Sequence, residues 1–142
     1  MSTDNRLFTN IRIRASEEMR TRAERYTVYI VKYETLHEVM VENGNKYTVN
    51  FVRKESIVKR RFREFVNLQN RLEDNPTLRR FLRRIKKPSK LRVTTNTIFG
   101  GPKSDRETIA HRMIFLEHFL IDLCNREPIA NSREMRQFLG KL

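Results

Sequence analysis

Between Tyr26 and Val58 the chain is rich in β-branched and aromatic residues around one Asn43-Gly44, and from Phe65 the apolar spacing becomes that of a helix. This change of period, from two to about three and a half, constrains the fold more than any other feature. The run Tyr26-Thr27-Val28-Tyr29-Ile30-Val31-Lys32-Tyr33 has strand composition, and its pattern extends towards Val41. Asn43-Gly44 supplies residues that tolerate positive φ, which predicts a hairpin. A third strand follows from Tyr47 to Val52, with a bulge at Arg53-Lys54-Glu55 before Ser56-Ile57-Val58 resumes. Ahead of these, Phe8, Ile11 and Ile13 mark a first strand, and the charged Glu17–Arg25 segment reads as a turn or mobile connection. Residues 1–6 are polar and read as loose. The first part of the chain is thus expected to form a three-stranded antiparallel meander.

The remainder reads as helical. Phe65, Leu68 and Leu72, with Val66 beside them, give one apolar face, stopped by Asp74-Asn75-Pro76. Thr77 is placed to cap a second short helix with Leu78, Phe81, Leu82 and Ile85 inward, Arg79, Arg80, Arg83 and Arg84 outward, and Pro88 at its end. Ser104-Asp105-Arg106-Glu107 has the form of a capping box. Behind it Ile109, Met113, Leu116, Leu120 and Leu123 define the longest helix. Arg112 falls about 60° from Ile109 around that helix, at the edge of the stripe. It is either an ordinary boundary arginine or a cation that lays its stem on the core and aims its head at the sheet end. Arg126 to Asn131, with Pro128, reads as a loop, and Ser132 caps a last helix closed by Gly140. The whole predicts an α+β domain, a meander packed against a helical subdomain, spanning residues 1–142 with its core at about 8–139.

At the junction lies Lys59-Arg60-Arg61-Phe62-Arg63-Glu64-Phe65. A guanidinium presents a planar fork that matches a phosphate edge, and a neighbouring ring offers a flat face to a sugar or inositol. The net charge of the chain is +13, and 12 basic against 3 acidic residues between Lys59 and Lys90 put most of it in one segment. Such a field attracts a polyanion, either nucleic acid or an anionic membrane surface, and charge alone does not choose. From Lys90 to Pro102 no period is visible, yet Leu91, Val93, Ile98 and Phe99 occur among Thr, Asn and Gly. These side chains either fold back on the core or project outward and enter a bilayer.

Other chemistry has little support. Cys124 is the single cysteine, so there is no disulfide framework; its place in a helical apolar pattern predicts core packing, and an intracellular, reducing compartment is expected. His37, His111 and His118 have no metal-ligand spacing, and no phosphate-loop, HExxH or GxSxG motif occurs. Glu17-Glu18 and Glu73-Asp74 lie in polar stretches. No catalytic residue, cofactor or metal is assigned.

Taken in order, Tyr33-Glu34-Thr35, Arg60-Arg61-Phe62-Arg63-Glu64-Phe65, Asn67-Leu68-Gln69, Arg71-Leu72-Glu73, the arginine of Arg112-x-x-x-Leu116-Glu117 and Ile129-Ala130-Asn131-Ser132 resemble the phox-homology (PX) domain. The likeness runs from about Phe8 to Leu139 and is nearest to PX domains of sorting nexins that also carry PXA and nexin-C regions. The resemblance implies a reader of phosphatidylinositol 3-phosphate that sits peripherally on early endosomal membranes, facing the cytoplasm, in protein sorting. It implies that Arg61 grips the 3-phosphate and Phe62 stacks on the inositol. Lys90 meets the 1-phosphate, and Arg112 binds the 4- and 5-hydroxyls. Lys87 is the alternative to Lys90, because Lys86-Lys87-Pro88-Ser89-Lys90 has one proline where the family has a proline-rich loop. Arg63 is a further cation beside the pocket. Phe62 stands where the family usually has tyrosine, which keeps the stacking face and loses a hydroxyl. Some PX domains bind proteins instead of lipid, so an interaction module in a trafficking complex is the alternative. Nucleic acid is not expected, because the Arg79–Arg84 face lacks aromatics on which bases would stack.

Overall fold

The computed structural model describes residues 6–91 and 105–140. Three antiparallel strands, β1 (Phe8–Arg20), β2 (Arg25–Asn43) and β3 (Lys46–Arg61), pair in the order β1-β2-β3. Helices α1 (Phe62–Glu73), α2 (Asp105–Cys124), α3 (Glu127–Ala130) and α4 (Arg133–Phe138) follow, with 3-10 turns at Arg79–Leu82 and Pro88–Lys90. The expected meander and helical half are both present.

One face of β2 is buried at Tyr29, Val31 and Tyr33, and it packs with Phe65, Leu68 and Leu72 of α1 and Leu116, Leu120 and Leu123 of α2. Edge-on ring contacts tie the layers: Tyr29 to Phe65 at 6.3 Å and Phe65 to Phe138 at 4.9 Å between centroids. The Tyr33 hydroxyl donates to the Leu139 carbonyl. Gly44 takes φ 68° at the first of two loop positions, the conformation a tight hairpin needs there.

Several local expectations give way. β1 does not end at Ile13 but runs to Arg20, and the turn is confined to residues 21–24. The charges that made Glu17–Arg25 look like a loop are neutralised across strands, Glu18 with Arg25 at 2.8 Å and Glu17 with Lys59 at 3.0 Å. Arg53-Lys54-Glu55 carries no bulge: β2 and β3 keep unbroken register from Asn43↔Lys46 to Val28↔Arg61. The irregularities lie in β1, between Thr9 and Arg12 and between Ile13 and Ala15. There the Ile13 N–H donates to Glu117 Oε1 at 2.9 Å, which fixes α2 against the sheet.

The helix expected over Leu78–Ile85 is only the turn Arg79–Leu82, and Arg84 adopts φ 67°. Leu78, Leu82 and Ile85 are nevertheless buried, so the apolar stripe is satisfied by a turn and a kink. Thr77 does not cap it; its own N–H donates to Asn75 Oδ1. Pro88 opens a 3-10 turn and does not close a helix. The Arg126–Asn131 segment contains the single helical turn α3, with Pro128 in its first turn, where a missing N–H costs nothing. Ser132 caps α4 by accepting from the Met135 N–H at 3.1 Å. Cys124 is buried, which pushes its thiol up to about 12. Ser104, Val93, Ile98 and Phe99 lie outside the described residues.

Candidate functional site

Strand alternation sends the neighbouring arginines to opposite sides of β3. Arg60, paired with the buried Tyr29, turns to the helices, where its Nε donates to the Phe138 carbonyl at 2.8 Å and its guanidinium lies 5.5 Å from the Phe138 ring. It holds the C-terminal helix. Arg61, one residue on, stacks at 3.8 Å over the Tyr26 ring and forks onto Glu24, with contacts of 3.1 and 3.4 Å to the two carboxylate oxygens. Its side chain is 19% exposed. This guanidinium is therefore held flat and already faces one oxyanion.

Phe62 opens α1, so the ring and the positive end of the helix arrive together. The Arg61 N–H donates to Glu64 Oε1 at 2.9 Å, which secures that first turn. From the other wall α2 brings Arg112, whose guanidinium sits 4.1 Å over the Phe62 ring. Tyr26, Thr27, Tyr29, Arg61, Phe62, Arg63 and Arg112 line one cavity of about 310 Å³. Arg112 Nε and the Tyr29 hydroxyl are buried there side by side, and neither completes a well-formed hydrogen bond among the described residues. Burial pushes the Tyr29 hydroxyl up, and the hydrogen-bonding approach of Arg112, together with its charge, offsets part of that rise. A buried donor with poor hydrogen-bond geometry is costly, and a ligand oxygen would relieve it.

A second cavity of about 420 Å³ adjoins the first through Tyr26, Thr27 and Arg112, and its far wall carries Glu17 and Glu18. Both carboxylates are already paired, Glu18 with Arg25 of the same wall and Glu17 with Lys59.

Lys87, Lys90 and Leu91 belong elsewhere. They line a separate cavity of about 500 Å³ with Arg79, Arg83, Arg84 and Lys86. Lys90 is exposed, whereas Lys87 is paired to Glu73 at 3.1 Å. Leu91 is half-buried and shares this wall with Leu82, Ile85 and Phe115. The turn that carries Lys90 is pinned to α1 by the buried Gln69, whose amide oxygen accepts from the Ser89 N–H at 3.0 Å and whose amide nitrogen donates to Ser89 Oγ at 2.7 Å. Burial alone would raise the Glu73 carboxyl. Hydrogen bonds from Gln69 and Lys87 and the charges of Lys87 and Lys90 outweigh it and hold the group below the ordinary carboxylate value.

The structure therefore brings Arg61, Phe62, Arg63 and Arg112 together and sets Lys87, Lys90 and Leu91 apart. Glu24, Tyr26, Tyr29 and Gln69 are members of these sites that the sequence reading passed over. Register would have found Tyr26: it lies two residues before Val28, which pairs with Arg61, and so on the same sheet face. Among the described residues no group of His, Cys, Asp and Glu could hold a metal, and no helix is long and apolar enough to cross a membrane.

Comparison with known proteins gives consistent likenesses. Residues 48–142 match the PX domain family. Sorting nexin-19 of Mus musculus is 42% identical over 128 residues, and that of Homo sapiens is 40% identical over 132, each covering 90% of this chain. The chain spans about 12% of the length of these relatives. The crystal structure of the mouse SNX19 PX domain superposes with a TM-score of 0.69 at 32% identity, covering 95% of this chain and 97% of that one. The same mouse domain with a bound sulphate ion gives 0.68 at 32% identity, covering 94% and 96%.

Proposed function

We propose, from the premise that this chain belongs to the PX domain family and is of the sorting-nexin type, that it reads phosphatidylinositol 3-phosphate on endosomal membranes in protein sorting. PX domains are non-enzymatic modules that bind phosphoinositides and membrane surfaces. The finer assignment is carried by one observation: Arg61 and Arg112 stand on two walls of a single cavity floored by Phe62.

In this reading Arg61 exchanges the Glu24 carboxylate for the 3-phosphate, keeping its flat pose over Tyr26. The inositol ring lies on Phe62, and Arg112 donates to hydroxyls. A hydrogen bond to a charged group contributes about 1.5–3 kcal/mol, so two such forks suffice for selection. The similar mouse domain has been seen with a bound sulphate ion, a tetrahedral oxyanion like a phosphate monoester, which supports anion binding by a domain of this type. Lys87 and Lys90, on the separate basic cavity, draw the domain to an anionic leaflet. Insertion by Leu91, Val93, Ile98 and Phe99 would add apolar burial at about 25 cal/mol per Å².

The bidentate Glu24–Arg61 pair favours a second reading: a pocket closed by its own carboxylate, on a domain that binds a trafficking protein. Vesicle sedimentation separates the two. Vesicles carrying phosphatidylinositol 3-phosphate should retain the wild-type chain over vesicles carrying the 4- or 5-phosphate, and Arg61→Gln should erase the preference. Equal retention on all three vesicle types would refute the lipid reading.

A further inference from the structure

The end of the sheet remote from the cleft is built differently. The last β1 pairing is Phe8↔Thr35, so beyond it β2 and β3 continue as a two-stranded ribbon to the Gly44 turn. An isolated ribbon of this kind is marginally stable in water. Its β3 half is Tyr47-Thr48-Val49-Asn50-Phe51-Val52, six residues without a charge, a proline or a glycine. Tyr47, Val49 and Phe51 share one face with Met40 and are 65%, 52%, 55% and 68% exposed. No strand among the described residues pairs with the outer edge of β3. Proteins usually blunt such an edge with a bulge, a proline or a central lysine, and β3 has none of these between Tyr47 and Val52.

Charge and position say what covers it. Glu38, Glu42, Lys46 and Arg53 cancel, so the ribbon is neutral in a chain of +13. It is the one end of the sheet at which two copies of so basic a chain meet without strong repulsion. A bilayer fits poorly, because the tip lies about 50 Å along β2 from the cleft and has no excess of cations to draw it to an anionic surface.

We propose that the β3 edge pairs with the β3 edge of a second copy, antiparallel about a two-fold axis at Val49. Val49 then faces its own counterpart, Tyr47 faces the second copy's Phe51, and Lys46 faces the second copy's Val52. Moving the axis one residue towards the core, to Asn50, sets Lys46 against the second copy's Lys54 and Tyr47 against its Arg53, so charge disfavours that shift. The result is a four-stranded sheet with a continuous apolar stripe on its outer face.

Sedimentation equilibrium of the 142-residue chain tests this. The wild type should follow a monomer–dimer equilibrium. Val49→Lys and Val49→Glu each place like charges across the axis and should each weaken association by about tenfold or more. An equimolar mixture of the two variants should restore it as a heterodimer. Val49 is half exposed, so both variants should keep the wild-type thermal midpoint, and loss of fold is ruled on separately. A wild type that stays monomeric up to its solubility limit overturns the proposal. So does a lysine variant that associates like the wild type, or a mixture that fails to recover. Retention of the wild type, but not of Val49→Lys, on uncharged phosphatidylcholine vesicles would make the occupant a bilayer and also overturn it.

Discussion

The two basic cavities differ in how their cations are held. In the cleft Arg61 and Arg112 lie flat on aromatic rings, at 3.8 and 4.1 Å, with little freedom left to lose on binding. Around the Pro88–Lys90 turn no ring among the described residues holds the lysines: Lys87 is paired to Glu73 and Lys90 is exposed. Ordering a long side chain costs entropy, so fixed guanidinium groups favour selection and mobile lysines favour long-range attraction. On the proposed reading, the cleft selects and the Pro88–Lys90 turn attracts.

That division makes graded predictions. The largest effect should come from Arg61→Gln, which should weaken binding of a soluble 3-phosphorylated head group by about a hundredfold with the fold intact, as read by calorimetry and thermal melting. A small effect would place selection outside the cleft. The pair Lys87→Ala and Lys90→Ala should act in the opposite pattern. Each should reduce affinity for anionic vesicles by up to about fivefold at low salt, with less effect at high salt and little effect on the soluble head group. Should both lysines prove equally important for the soluble ligand, the two cavities act as one. Glu24→Gln should strengthen head-group binding by about threefold, since it removes a competing carboxylate from a partly exposed pair. Weaker binding would show that Glu24 positions Arg61 and does not compete with ligand.

The smallest effect concerns Glu73, which pairs with Lys87 beside the Pro88–Lys90 turn. Its carboxyl is held below its ordinary value. Its stabilisation is therefore complete above the ordinary carboxyl range and is lost as pH falls through and below that range. Because the group is about a third exposed, the loss should stay under about 1 kcal/mol. Melting curves of wild type and Glu73→Gln, compared between neutral pH and about pH 4, should converge on acidification.

Much of the fold is legible in the chain because strands and helices impose different periods. The Asn43-Gly44 turn, the α1 stripe and the Ser132 cap each follow from local chemistry. What was not legible depends on partners distant in sequence. The charged end of β1 resembles a loop until Glu17 meets Lys59, 42 residues later. Leu78, Leu82 and Ile85 fit an α-helix as well as a 3-10 turn with a kink, and the pattern alone does not distinguish them. In the site, Arg61, Phe62 and Arg112 were reached through a family resemblance. The Glu24 fork and the Gln69 staple span 37 and 20 residues and have no local signature.

The central claim is that the Arg61–Phe62–Arg112 cleft is an open, single head-group site. Calorimetric titration of the wild-type chain with soluble short-chain phosphatidylinositol 3-phosphate tests it most directly. Saturable heat at one ligand per chain is predicted; no heat at any ligand concentration, with the chain folded, would contradict it.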